Sequence, residues 1–244
     1  MKKYYMLIIS AIILLISCSN ETVKPVDNKT QHTFLAPEFF PTSVGSWWIV
    51  SNYYIDEEGN ITETNPDDSI AIVSEKNIYG TTALEIITYS TETKLPSDTV
   101  YRLLEGEQII EFDEIPFFTF KSWYTLADFS SEEPWITLDT NLVNFELATD
   151  FKFSGKYVIT SQKTDTSTIT FKGQEIETVK FKTDYILKGT IMNLIPIEFT
   201  IERTSVFARN IGLIGAINDE IKVKFQSFYQ NTKVREMKDY MIIK

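Results

Sequence analysis

The sequence has little of the chemistry that most enzyme active sites use. It holds one cysteine, Cys18, and one histidine, His32, among 244 residues. A lone cysteine excludes an intramolecular disulfide, and this pair disfavours zinc sites built from nitrogen and sulfur ligands. The motifs GxGxxG, GxxxxGK[ST], HExxH and GxSxG are absent as well. We therefore predict no catalytic residue, no metal site and no cofactor, and we expect a protein that is not an enzyme.

The N-terminus has the pattern of a secretory signal. Lys2 and Lys3 precede Tyr4–Ile16, an uncharged and mostly apolar run. This run is shorter than the about 20 residues that a membrane-spanning helix needs. The sequence Leu15-Ile16-Ser17-Cys18 resembles the lipobox of bacterial lipoproteins, in which the signal is cut before an acylated cysteine. We predict a signal peptide over 1–17 and a lipidated Cys18; an uncleaved anchor helix and an ordinary signal peptide are the alternatives.

The residues after the cysteine predict a tether on a membrane surface. Residues 18–37 are mostly polar and lack periodicity, and His32 lies among them. Ser19 rather than Asp follows the cysteine, which in the familiar sorting rule favours the outer membrane of a Gram-negative bacterium. The net charge of −11 argues against a nucleic-acid partner and against adhesion to anionic lipid. We therefore expect the acyl chains to hold the protein in the cell envelope.

From Phe39 onward the hydrophobic period is two. Apolar and polar residues alternate over Ile197–Glu202, Val179–Tyr185 and Ile221–Gln226, which is typical of antiparallel strands with one solvated face. We count roughly eleven to thirteen strand-like segments, and the best short helix candidate, Asn141–Ala148, could equally be a strand. The prediction is a single all-β domain over 38–244, barrel-like or a strongly curved sheet. The predicted turns include Asp56–Asn60, Asn65–Asp68, Asn77–Gly80, Glu105–Glu107 and Lys172–Gln174.

Two aromatic concentrations depart from the simple alternation. Trp47–Ile55 carries an aromatic and an aliphatic residue on each face, and Pro116–Tyr124 is rich in Phe, with Trp135 soon after. Such segments are either covered on both sides or line a ligand site. For the Trp-Trp pair we expect one ring in the core and the other covered by Phe39-Phe40 or by a neighbouring element. The candidate ligand-binding residues are Trp47, Trp48, Tyr54, Phe118, Phe120 and Trp123.

Two stretches resemble a known group of proteins. Phe40-Pro41-Thr42-Ser43-Val44-Gly45-Ser46-Trp47-Trp48 is similar to the opening of a diffuse family of bacterial lipoproteins of uncharacterised function. Phe207-Ala208-Arg209-Asn210-Ile211-Gly212-Leu213-Ile214 is similar to the closing element of that family. The resemblance implies an antiparallel, barrel-like lipoprotein domain and supplies no catalytic residues. Gly45 and Gly212 are plausible tight-turn positions.

Three functions fit these observations. The first is an envelope lipoprotein that binds an apolar or glycan ligand in its barrel, and the second is an accessory subunit that docks another envelope protein through an aromatic surface. The third and weaker one is a carboxylate-based hydrolase. The acidic clusters lie at predicted turns or strand ends, where we expect them to be solvated, and Asp113-Glu114 is the pair closest to an aromatic run.

Overall fold

All strands of the domain are antiparallel and belong to one sheet, which is curled into a nearly closed barrel. The computed structural model describes residues 34–56, 58–115, 121–148, 151–223, 226–227 and 232–243. The strands of the first half are β1 (Trp47–Ile55), β2 (Ile61–Ile78), β3 (Thr81–Ser90), β4 (Pro96–Glu105), β5 (Gln108–Glu114) and β6 (Lys121–Asp128). Those of the second half are β7 (Trp135–Ala148), β8 (Phe151–Phe171), β9 (Gln174–Ile191), β10 (Ile195–Ala208), β11 (Gly212–Val223), β12 (Gln226–Ser227) and β13 (Thr232–Met241).

The sheet consists of two meanders joined side by side. Its strand order is β6-β5-β4-β3-β2-β1-β13-β11-β10-β9-β8-β7, and the two-residue strand β12 pairs with β11. Strand β1 makes the join, because it pairs with β2 on one side and with β13 on the other. Neighbours in space are therefore mostly neighbours in sequence, as short turns between antiparallel strands allow.

The barrel is brought close to closure between its two edge strands, β6 and β7. The Thr137 hydroxyl of β7 donates a hydrogen bond of 3.3 Å to the carbonyl oxygen of Thr125 in β6. Just beyond β6, the Lys163 amine of β8 donates to the carbonyl oxygen of Phe129 at 3.1 Å. Side chains thus bridge the two edges and occupy backbone groups that would otherwise invite another strand.

The all-β prediction is confirmed, and the alternation on β9 is reproduced in its burial. Val179, Phe181, Thr183 and Tyr185 are all buried, whereas the residues between them are partly exposed. Four of the five predicted turns connect strands, but Asn65–Asp68 lies inside β2. There the pairing with β1 shifts register between Val50 and Asn52, so this Pro-containing segment forms a bulge instead of a turn. The segment Asn141–Ala148 is part of β7.

A four-residue helix, α1 (Ala36–Phe39), closes one end of the barrel. The Ala36 amide donates to the carbonyl oxygen of Gly106 in the β4–β5 turn, and the Asn210 amide of the β10–β11 turn donates to the carbonyl oxygen of Glu38. The Phe39 ring stacks on Phe129 with centroids 4.7 Å apart. Of residues 34–37, which we expected at the end of the tether, Ala36 is buried and Phe34 is partly buried, whereas Leu35 and Pro37 are exposed. The rest of that tether, the signal peptide and Cys18 lie outside the described residues.

The interior contains two apolar clusters. The larger one gathers at the α1 end and includes Phe39, Phe40, Trp48 and Phe207; the smaller one includes Phe153, Tyr157 and Leu187. No helix among the described residues is long and apolar enough to cross a membrane.

Candidate functional site

A layer of charged and polar side chains lies in the barrel interior. Arg102, Glu111 and Tyr124 are direct cross-strand partners on β4, β5 and β6, so their side chains share one face of the sheet. The Arg102 guanidinium donates to Glu111 Oε2 from Nε at 2.7 Å and contacts the same oxygen through a terminal nitrogen at 2.6 Å. The Tyr124 hydroxyl donates to Glu111 Oε1 at 2.5 Å. Both carboxylate oxygens therefore have partners.

The charge on Glu111 is stabilised by its neighbours. The residue is 3% exposed, and burial alone would raise the pKa of this carboxyl. Arg102, the hydrogen bond from Tyr124 and the nearby Arg203 together hold the pKa below its ordinary value. For Tyr124, burial and the Glu111 carboxylate raise the phenol pKa well above its ordinary value. Glu111 is thus an ionised structural acceptor, which contradicts the expectation that its acidic cluster is solvated.

A second arginine, Arg235, joins the same layer from β13. Its Nε donates to Asn52 Oδ1 at 3.1 Å, and a terminal nitrogen lies 3.4 Å from Asp68 Oδ2. Asn52 in turn donates to Asp68 Oδ2 at 2.9 Å. Burial lowers the pKa of Arg235 and the positive charges of Arg203 and Arg102 lower it further, while Asp68 opposes them. The guanidinium groups of Arg102, Arg203 and Arg235 therefore lie close enough together in the barrel interior to affect one another.

Arg203 of β10 differs from the other two arginines because it has no ion pair. Among the described residues no carboxylate oxygen lies within salt-bridge distance of its guanidinium, and its buried Nε has no hydrogen-bond acceptor. Burial would lower its pKa, but the nearby Tyr185, Tyr124 and Glu111 raise it above the ordinary value. The side chain therefore keeps its positive charge without a carboxylate of its own.

A partly open cavity of about 210 Å³ is lined by residues of the charged layer and of the apolar cluster at the α1 end. Its apolar part is formed by side chains from Phe40, Trp48, Ile70, Ile86, Val100 and Leu213. Its charged part is formed by Arg102, Arg203, Lys233 and Arg235 together with Asp98, Glu111 and Asp113. The cavity thus combines an apolar surface with a small number of charged groups, as small-molecule sites do.

Asp113 is a carboxyl group in the cavity lining whose pKa is raised. Burial, followed by the negative charges of Glu111 and Asp98, raises its pKa to about 6. The Lys121 amine lies 4.0 Å from Asp113 and only partly offsets these effects. The described residues contain no group of three or more His, Cys, Asp or Glu side chains that could hold a metal ion.

The two motifs that carry the lipoprotein resemblance meet at the closed end. The indole Nε1 of Trp48 donates to the carbonyl oxygen of Ile211 at 2.7 Å. Gly212 has a positive φ of 109°, and a side chain there would meet Trp48 at 3.3 Å and Pro41 at 3.4 Å. Gly45 also has a positive φ, 93°. The opening and closing elements therefore form one structural plug, and their glycines serve the chain reversals expected of them.

The structure separates the candidate ligand-binding residues. Trp48 is buried and lines the cavity, where Phe40 packs on it at 5.7 Å between centroids. Trp47, the next residue on β1, is partly exposed and points to the other face. Of the two coverings expected for the outward ring, the structure does not show the one by Phe39-Phe40, because Phe40 packs on the inward ring instead. Tyr54 lies next to the cavity, opposite Lys233 in the ladder, but is not part of its lining.

Trp123 belongs to an aromatic cluster on the outside of the sheet. Its ring lies 5.2 Å from Phe112, which also contacts Tyr79 and Tyr101 at 5.6 and 6.3 Å. Phe112 follows the inward-facing Glu111 directly, so it faces the other side of β5. We call Tyr79, Tyr101, Phe112 and Trp123 the outer aromatic cluster. Phe118 and Phe120 lie outside the described residues.

The sequence contains a signal for Arg203 that the prediction did not use. Ile197, Phe199 and Ile201 define the inward phase of β10, and two further steps of two lead through Arg203 to the buried Ser205. Val100 and Leu104 place Arg102 in the apolar phase of β4 in the same way. A charged residue in the apolar phase of a strand is the pattern that indicates an internal polar site.

Comparison with known proteins gives one match. No protein-family profile matches the sequence, and no functionally curated protein is detectably similar to it. One solved structure is similar. It is the crystal structure of a "putative lipoprotein" from Parabacteroides distasonis, with a TM-score of 0.48 and 9% sequence identity. The superposition covers 86% of this chain and 100% of that chain.

Proposed function

We propose that the mature protein is a lipid-anchored protein of the bacterial cell envelope that binds a small ligand inside its barrel without transforming it. The anchor is Cys18, and the outer membrane is the proposed location because Ser19 follows it. The observation that carries the binding function is the cavity of about 210 Å³, which is apolar on one side and charged on the other. Such a cavity offers both contact area and orientation to a ligand.

The size of the cavity limits the ligand. At about 30 Å³ per water molecule, 210 Å³ corresponds to about seven waters. This is below the roughly 300–1,000 Å³ typical of sites for drug-sized ligands. The proposed ligand is therefore a small molecule or one end of a larger one, which favours an apolar or amphipathic compound over an extended glycan.

The anchor and the binding function are tested separately. Replacing Cys18 with Ala, or blocking the lipoprotein signal peptidase with globomycin, should prevent processing and release the protein from membrane fractions. Unchanged processing and fractionation would contradict the lipid anchor. For binding, we expect native mass spectrometry of the full chain, extracted from its own membranes, to detect a bound small molecule.

A cavity-filling variant provides the control for that measurement. Ala216 lines the cavity and is 6% exposed, so Ala216→Leu places three more carbon atoms at its wall. The fraction of protein that carries the bound molecule should decrease in Ala216→Leu. It should be unchanged in Val206→Leu, since Val206 is outside the cavity lining. Repeatedly empty wild-type preparations, or a bound mass unaffected by Ala216→Leu, would contradict the proposed cavity site.

A second candidate function is docking to another envelope protein through the outer aromatic cluster. The supporting observation is that Tyr79 is 88% exposed although it contacts Phe112. A photoreactive residue at position 79 should crosslink to one discrete envelope protein in cells, whereas one at the exposed Val143 should not. Failure to obtain a discrete product at position 79 would remove this candidate.

The hydrolase interpretation has less support. It requires two carboxyl groups that exchange protons with a substrate. Glu111 is neutralised by Arg102 and accepts from Tyr124, which leaves only Asp98 and Asp113 in the cavity for that role.

A further inference from the structure

The wall of the cavity contains both paired and unpaired charged side chains. Its lining contains four cationic side chains, Arg102, Arg203, Lys233 and Arg235, and three carboxylates, Asp98, Glu111 and Asp113. Two of the arginines have fixed acidic partners, Arg102 with Glu111 and Arg235 with Asp68. The arginine left over is Arg203, which faces the cavity from β10.

The groups around Arg203 stabilise its positive charge, but among the described residues none forms an ion pair with it. Its close neighbours are the phenols of Tyr124 and Tyr185 and the carboxylate of Glu111, whose two oxygens are already engaged. The Nε atom is buried without an acceptor, although buried polar groups in proteins nearly always have one. Arg203 as a whole residue is partly exposed and lines the cavity. A ligand in the cavity would therefore meet the guanidinium from its cavity side and not at the buried Nε.

We propose that the cavity binds a small organic monocarboxylate, with its carboxylate on the guanidinium of Arg203 and its apolar part on Trp48, Ile86 and Val100. This inference rests on the proposed binding function and specifies the ligand class. A guanidinium matches a carboxylate geometrically and forms strong charge-assisted hydrogen bonds with it. Phe40 and Trp48 belong to the apolar cluster at the α1 end, and we place the end of the tail against them.

The charge of the lining favours a single negative charge over two. Asp98 and Asp113 lie in the same cavity wall as Arg203. A second negative charge on the ligand would approach these carboxylates, which costs binding energy. The site therefore discriminates against phosphate dianions and phosphate monoesters.

Calorimetric titration of the full chain in non-ionic detergent tests the assignment. The probes are benzoate and hexanoate, their neutral amides benzamide and hexanamide, and inorganic phosphate. We expect both carboxylates to bind about ten- to hundredfold more tightly than their amides, the difference that one charge-assisted bond provides. Phosphate should bind more weakly than either carboxylate.

Variants of Arg203 link this preference to the proposed residue. Arg203→Gln should abolish the difference between carboxylate and amide, and Arg203→Lys should retain part of it because the charge remains. Arg209→Gln is the matched control, since Arg209 pairs with Glu38 and Glu177 outside this cavity. Urea unfolding of each variant establishes that it is folded, and Arg203→Lys provides the test if Arg203→Gln does not fold.

The outcomes separate this inference from the function beneath it. If amides bind as tightly as carboxylates, or if Arg203 variants keep the full preference, the carboxylate assignment is wrong while cavity binding stands. Tighter binding of phosphate than of either carboxylate would also overturn it. If neither carboxylates nor amides bind even at millimolar concentration, both the assignment and the cavity function are contradicted.

Discussion

The buried ion pair between Arg102 and Glu111 should make the barrel sensitive to removal of either partner. The Arg102 side chain is 11% exposed and that of Glu111 is 4% exposed, so loss of one leaves the other charged in a poorly solvated interior. Breaking such a pair costs about 3–5 kcal/mol of unfolding free energy. We consider Arg102→Met, Glu111→Met and the double variant, which keep comparable volume at each position.

The two single variants should not be equivalent. In Arg102→Met, Glu111 still accepts from Tyr124 and lies near Arg203, so its charge remains partly compensated. In Glu111→Met, Arg102 loses its ion-pair partner and Arg203 loses a nearby negative charge. We therefore expect Arg102→Met near the lower end, about 3 kcal/mol, and Glu111→Met near the upper end, about 5 kcal/mol. The double variant should be more stable than Glu111→Met because it removes one of the two unpaired cations.

Urea unfolding monitored by far-ultraviolet circular dichroism measures these differences, with the dependence on urea concentration checked for constancy across the variants. The expected order is contradicted if Arg102→Met lowers the unfolding free energy more than Glu111→Met does. The expected interaction is contradicted if the costs of the two single changes add in the double variant, because additivity would mean that the two side chains do not interact.

Three further predictions concern other parts of the barrel. The raised pKa of Asp113, about 6 against an ordinary 3.8, means that its ionised form destabilises the fold above pH 6 and ceases to do so as the pH falls toward 4. Asp113→Asn should gain about 1–2 kcal/mol at pH 8, less than the full shift implies because solvent screens the partly exposed carboxyl, and nothing at pH 4 by urea unfolding; equal effects at both pH values would contradict the shift. Gly189→Ala should cost about 1–3 kcal/mol, because its Cβ would lie 2.6 Å from the Cα of Gly155, whereas Gly215→Ala, with 3.7 Å to its nearest neighbour, should be nearly neutral. Trp48→Phe should cost about 1–3 kcal/mol by leaving the Ile211 carbonyl without its donor, and a neutral result would show that water replaces the indole.

The general fold was predictable because burial imposes a period of two on each strand. On β9 the apolar set Val179, Phe181 and Tyr185 is buried as the alternation predicts. The bulge at Asn65–Asp68 was not predictable, since Asn, Pro and Asp favour turns and bulges alike and only pairing with β1 distinguishes them. Helix α1 was missed because four residues are too few to display a helical period.

The site was less predictable than the fold because barrel closure assembles it. Arg102 on β4, Arg203 on β10 and Arg235 on β13 meet only when the two meanders face each other. The local sequence indicates only that each arginine faces inward. It does not specify which strands lie opposite one another across the barrel interior. The aromatic residues gave the clearer signal, but of the described candidates Trp47, Trp48, Tyr54 and Trp123 only Trp48 lines the cavity, since a large aromatic ring can serve either face of a strand.

A crystal structure of the full chain with 4-bromobenzoate would show directly whether a monocarboxylate binds in the cavity at Arg203. The bromine gives an anomalous signal that locates the ring independently of the electron density for the protein. We predict the bromine beside Trp48 at the closed end of the cavity and the carboxylate on the guanidinium of Arg203. A cavity that holds no bromine while the protein is saturated with the compound, or a carboxylate directed away from Arg203, would contradict the account.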